Sequence, residues 1–202
     1  MSPITHGLAA WVLLANAPPE TTRRERVIIT AGGLVPDVDG VGAAPDLLTR
    51  WFTDAPTSYF QDYHHLLHTA LFAAIATAGA AALARGGLAR RLTTAALFCA
   101  AFHLHLVCDV LGSGGPDGSR WDIPYWRPFS AAHRWDWSGQ WRLDGWQNVT
   151  LTLVLLALTA LLALRRGRTI LEVVSARADA AVVEVVRRRL GRREAAGERG
   201  EP

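Results

Sequence analysis

Ala101–Pro128, AFHLHLVCDVLGSGGPDGSRWDIPYWRP, sets the reading of the whole chain. Its first half is apolar with helical character and carries His105 and Asp109 four residues apart. At about 100° per residue that spacing leaves the two side chains ~40° apart, on one face. One helix can therefore offer an imidazole and a carboxylate to the same cation, although a buried His–Asp pair would produce the same pattern. The helix runs into the Gly-rich break SGGPDG and then a Trp- and Pro-rich connection, so the pair lies at a helix end.

Other His and Asp residues gather at comparable positions. His6 lies in the first turn of an apolar segment, residues 4–17, closed by Pro18 and Pro19, with Thr5 as the expected N-cap. VIITAGGLVPDVDG is apolar up to Pro36 and then presents Asp37 and Asp39, a spacing whose carboxylates can converge on a hard or borderline cation. Pro-Asp and Asp-Gly are also ordinary turn chemistry. YHHLLHT opens the next apolar stretch with His64, His65 and His68. Read as a helix, it puts His64 and His68 one turn apart on one face, with His65 flanking. Imidazoles at the head of an apolar helix are costly to bury without partners.

Three stretches of the chain, 65–84, 92–111 and 149–164, approach the ~20 apolar residues needed to cross a bilayer. The arginines fall beside them: Arg23, Arg24 and Arg26, then Arg85, Arg90 and Arg91, then Arg165, Arg166 and Arg168. Threaded up and down, the segments bring every candidate ligand to one end of the bundle and these arginines to the other. The positive-inside rule makes the Arg end cytoplasmic. The expected fold is all-α: an up-down helical membrane bundle with metal-ligand residues at one end and a C-terminal amphipathic helix. Residues 1–166 form the membrane domain, 167–193 the amphipathic cytoplasmic helix, and 194–202 a disordered tail.

Composition agrees with that class. Half of the 202 residues are hydrophobic and 19% are charged, against ~25% in soluble domains. The net charge of +3 gives no reason to expect nucleic acid as a partner. Cys99 and Cys108, the two cysteines, fall in one helix about 13.5 Å apart and on opposite faces, too far to bridge. Six of the eight Trp lie between residues 121 and 146, as suits a lid in the headgroup layer. His133 in that connection is a further ligand or proton-shuttle candidate.

His6-Gly7, PDVDG (36–40), HHLLHT (64–69), HLVCDVLGSGG (105–115) and PYWRPFS (124–130) occur in an order that resembles the YdjM-like family of inner-membrane, metal-dependent hydrolases, known from a LexA-binding member. The resemblance covers roughly residues 1–130. The family often has an HRG-x-x-HS type sequence where this chain has YHHLLHT, which leaves open whether His64 or His65 is the first ligand. The family is in turn similar to all-helical zinc phosphodiesterases of the phospholipase C and P1-nuclease type. What this implies is a multi-pass protein of the bacterial inner membrane and a metal-dependent hydrolase.

His6, Asp37, Asp39, His64 (or His65), His68, His105 and Asp109 exceed the ligand count of one closed tetrahedral site, so two or more divalent ions are expected. Oxygen and nitrogen donors without Cys suggest Zn, with Mn or Mg as alternatives. One ion would acidify a bound water and another would neutralise substrate charge, while Asp39 or Asp109 orients that water or takes its proton. Expected partners are membrane lipids, a phosphoester or amphiphilic substrate, and a cytosolic protein for the C-terminal helix. The alternatives are a non-catalytic membrane protein with a structural metal, an adaptor, and a transporter with an intramembrane His/Asp site.

Overall fold

The computed structural model describes residues 1–191 except Pro19 and Pro56, and the tail expected at 194–202 lies outside the described residues. Among these residues the chain is helical, and strand-like pairing is limited to the isolated bridges Gly114–Arg142 and Ile123–Trp135. The helices are α1 (Pro3–Ala15, its second half a π-helix), α2 (Arg23–Gly32), α3 (Ala43–Phe52), α4 (Tyr59–Tyr63), α5 (Ala70–Leu83), α6 (Leu88–Gly112), α7 (Trp146–Arg166) and α8 (Ala176–Val186). A 3-10 turn, Val35–Gly42, joins α2 to α3.

Local chemistry explains the boundaries. Ser2, rather than Thr5, caps α1, and its hydroxyl accepts from Thr5 N. Thr22 and Glu25 form a capping box at the start of α2, each satisfying the other's backbone N–H. Gly167, at φ 64°, supplies the left-handed residue that stops α7.

Two helices, α6 with 25 residues and α7 with 21, are long and apolar enough to cross a membrane. At 1.5 Å per residue both exceed the ~30 Å hydrocarbon thickness. The third expected span is shorter than the sequence suggests. α5 has 14 residues, about 21 Å, because residues 64–69 form turns instead of a first helical turn. Three bonds compete with helix there: Asp39 Oδ2 accepts from Leu67 N (2.9 Å), Thr69 Oγ1 from Phe72 N (3.2 Å), and Tyr125 O from Ala70 N (2.8 Å).

α1, α2 and α6 make the centre, with Ala10, Trp11, Ala15, Ile29 and Ala101 fully buried among them. α2 lies almost on the backbone of α6: a Cβ at Gly32 would come within 2.4 Å of Phe98 O. At the arginine end the segments are tied together. Arg90 pairs with Glu25, Arg24 donates to Leu83 O, and Arg166 donates to Asn16 O. Residues 170–173 of the C-terminal stretch dock on this end. Ile170 and Val173 pack on the Trp11 cluster, and buried Glu172 accepts from Arg26 and from Trp11 Nε1.

Candidate metal centre

At the other end of α6, His105 and Asp109 face inward, and three other segments bring His and Asp side chains to them. His105 Nδ1 lies 2.9 Å from Gly33 O. A carbonyl can only accept, so Nδ1 carries the proton and the Nε2 lone pair faces the site. Facing that lone pair are Asp109 Oδ2 at 3.0 Å, His68 Nε2 at 3.3 Å and Asp37 Oδ1 at 3.6 Å. Acceptors crowded in this way need protons or a cation between them. His6, from α1, stacks on His105 with ring centroids 3.7 Å apart and sets Nε2 3.1 Å from Asp109 Oδ1. Asp109 Oδ1 also accepts from Ser113 Oγ at 2.8 Å and contacts the Met1 nitrogen.

The 64–69 turn supplies the remaining imidazoles. His64 Nδ1 sits 2.8 Å from Asp39 Oδ1, which leaves its Nε2 toward Asp37 Oδ1 at 3.7 Å. His68 is fully buried between Asp109 (3.6 Å) and Asp39 (3.8 Å). Burial alone would lower the His68 pKa, but the nearby Asp109 and Asp39 carboxylates outweigh it and raise it to about 9. Burial of Asp39 opposes its ionisation, yet His64, His68 and the Leu67 N–H hold its pKa well below the usual carboxylate range. The two carboxylates thus favour positive charge on His68, whereas deep burial lowers the pKa of His6 in the same cluster.

Two ligand groups emerge, each with donor atoms within 4.8 Å of one another: His6, Asp37, His105 and Asp109; and Asp37, His64 and His68. Metal–ligand bonds of ~2.0–2.2 Å allow ligands of one ion to stand up to about 4.4 Å apart, so little closure is required. Asp37 belongs to both groups. Among the described residues, the buried site atoms His6 Nδ1, Asp37 Oδ2 and His68 Nδ1 have no hydrogen-bond partner, an arrangement that invites an ion or water. The donor set therefore fits divalent cations.

Of the residues singled out from sequence, His6, Asp37, His64, His68, His105 and Asp109 meet in these groups, and Asp39 stands behind His64 and His68. His65 points elsewhere: its Nε2 accepts from Arg127 Nη1 at 3.2 Å. It diverges from its neighbours because the segment is a turn, in which consecutive side chains do not keep helical spacing. His133 is exposed on the long connection. Sequence reading missed the supports. These are the Gly33 carbonyl and the Ser113 hydroxyl, with Phe60 and Trp121, whose rings flank His64 at 4.3 and 5.3 Å. The Gly-Gly pair before LVPDVDG was the available signal for the first.

The connection 113–145 closes this end of the bundle. Gln140 Nε2 donates to the carbonyls of Asp109, Val110 and Trp121, and Asn148 Nδ2 donates to Gly112 O. The site is sealed on the His6–His105 side, each ring 1% exposed, and opens slightly at Asp37 and His64, whose side chains are both 13% exposed.

Fold and site together define an all-helical membrane protein with a His/Asp cluster at one end. The chain belongs to the YdjM inner membrane protein family, whose model matches residues 1–189. Neither the curated proteins nor the solved structures give a significant match.

Proposed function

We propose that this protein is a multi-pass, metal-dependent hydrolase of the bacterial inner membrane, acting on a phosphoester or lipid-like substrate. The observation that carries the reading is the sharing of Asp37 between two adjoining ligand groups. His6, Asp37, His105 and Asp109 would hold one ion, and Asp37, His64 and His68 a second, with Zn favoured by the nitrogen-rich set and Mn or Mg as alternatives. Such ions lower the pKa of bound water toward neutrality and offset charge on a phosphoryl oxygen.

The chain's own residues do the rest. Gly33 O and Asp39 fix the His105 and His64 rings so that each Nε2 faces the site. Asp39, beside the more open Asp37–His64 edge, is assigned to orienting water there. The Arg-rich end lies in the cytoplasm, which places the site toward the opposite leaflet.

Elemental analysis of detergent-purified protein, paired with chromogenic phosphodiester and phosphomonoester substrates, tests this. Near-stoichiometric transition metal with metal-dependent turnover is the expected result, and folded, active, metal-free protein would end the reading. One observation favours a second reading, a structural metal that pins the helix ends: the deep burial of His6, His68 and His105. A structural site is filled by protein ligands, so bound metal that no small anion or chelator reaches would support it.

A further inference from the structure

His65, displaced from the metal groups, marks a second site. Its imidazole and Arg127 stand at one end of a cavity of about 350 Å³ between the start of α5 and the Pro124–Pro128 stretch. Leu66, Thr69, Leu71, Phe72, Ile75 and Pro128 form the rest of its wall. That volume is within the usual range for small-molecule sites. The cavity is apolar except at the His65–Arg127 end, and Leu66, Leu71 and Ile75 are 52%, 39% and 59% exposed.

Arg127 is the unusual member. Its contact with His65 makes the guanidinium the donor and the imidazole a neutral acceptor. Among the described residues it has no carboxylate partner, whereas Arg120, Arg134 and Arg142 on the same connection pair with Asp136, Asp122 and Asp144. One arginine of the connection is thus left with a fork of donors at the head of an apolar groove. Exposed Trp126 and Phe129 beside it suit the headgroup layer. The groove wall from Leu71 to Ile75 runs about 6 Å along α5, away from that layer.

We propose that this groove binds an anionic membrane phospholipid, its phosphate on Arg127 and part of one acyl chain along Leu71, Phe72 and Ile75. Thr69 and His65 belong to both the groove wall and the turn that carries His64 and His68, so the lipid would be held against the back of the metal centre. Binding in this groove stands apart from the proposed hydrolase, and only a role for the bound lipid in supplying that site with substrate would rest on that reading. Guanidinium–phosphate recognition is bidentate and charge-assisted, and the apolar wall separates a lipid from free phosphate.

The test uses the full chain in detergent with equal amounts of phosphatidylglycerol and phosphatidylcholine of the same acyl composition. Retained lipid is counted by native mass spectrometry, and metal is measured on the same samples. Preferential retention of phosphatidylglycerol is expected, falling about tenfold in Arg127→Ala and unchanged in Arg120→Ala. Ile75→Trp, at an exposed position that tolerates bulk, should lower retention of both lipids by filling the groove. Equal retention of the two lipids, or full retention by Arg127→Ala, overturns the proposal. Displacement by inorganic phosphate overturns it too, because the site would then be a phosphate site. Lipid retained without metal would count against the hydrolase and leave the groove standing; metal retained without lipid would do the reverse.

Discussion

Asp37→Asn separates a metal centre from a merely polar core. Asp37 Oδ1 has its nearest imidazole partners at 3.6 and 3.7 Å, and Oδ2 has no hydrogen bond among the described residues. Neutralising this carboxyl while keeping its shape should therefore change metal-free stability by no more than about 1 kcal/mol. With metal the effect should be large, since both ligand groups lose their common charge. Outer-sphere partners of metal sites are already worth about 10–100-fold in affinity, so a shared ligand should cost at least ~100-fold. At a free metal concentration of 100 times the wild-type Kd, binding contributes about 2.7 kcal/mol. A 100-fold weaker site contributes ~0.4 kcal/mol under the same conditions, a loss of about 2.3 kcal/mol. For a chain of this length that is roughly 5–9 °C of metal-dependent stabilisation. Thermal unfolding in detergent, with and without Zn, reads the difference directly. If Asp37→Asn keeps the wild-type Zn-dependent shift, the shared-carboxylate arrangement is wrong.

Asp39→Asn should leave all ligand groups in place yet weaken metal by about 10–100-fold, because it loosens His64 and the Leu67 turn; isothermal titration measures this, and unchanged affinity would remove Asp39 from the site. His68, raised to about 9, must lose its proton to ligate, so apparent metal affinity should climb about tenfold per pH unit below that value and level off above it. In the metal-free protein the sign is opposite: the His68 contribution to stability is complete below its unfolded pKa of ~6.5 and is lost as pH rises through about 9, which a pH series of unfolding midpoints would display. Glu172→Ala strands buried Arg26 and should cost about 3–5 kcal/mol, while the double change Arg26→Met with Glu172→Met recovers most of it; equal melting of the single variant and wild type would contradict the packing. Cysteines introduced at Leu88 and Ala131, with Cys99 and Cys108 replaced, should label from the cytoplasmic and opposite sides respectively, and the reverse pattern would invert the orientation.

Much of the site was legible because its donors are chemically rare in apolar surroundings. His6, His68, His105 and Asp109 stand out in stretches that otherwise read as core, and burying them together resolves a cost each would carry alone. The helical class and the α6 and α7 spans follow from long apolar runs. The fate of residues 64–69 did not, because the bonds that unwind them come from Asp39 and Tyr125, far away in sequence. Local pattern therefore extended α5 by a turn and a half and placed His65 on the wrong surroundings for a side chain that meets Arg127. The docking of Ile170–Val173 was hidden for the same reason: Glu172 reads as a surface charge until Arg26 and Trp11 are brought to it.

The least visible determinant is the smallest. Gly32 brings α2 so close to α6 that a Cβ would fall 2.4 Å from Phe98 O, and Gly33 approaches α1, where a Cβ would lie 2.6 Å from Ala10 Cβ. This approach sets the Gly33 carbonyl on His105 and fixes where the next turn delivers Asp37 and Asp39. A bulkier pair would separate α2 from both neighbours, and the carboxylates it delivers would withdraw from imidazoles carried by α1 and α6. The candidate ligands are thus gathered by backbone contact in the apolar core, one turn before the first carboxylate appears. That is why four segments can share a site while few of their ligands touch through ordinary hydrogen bonds.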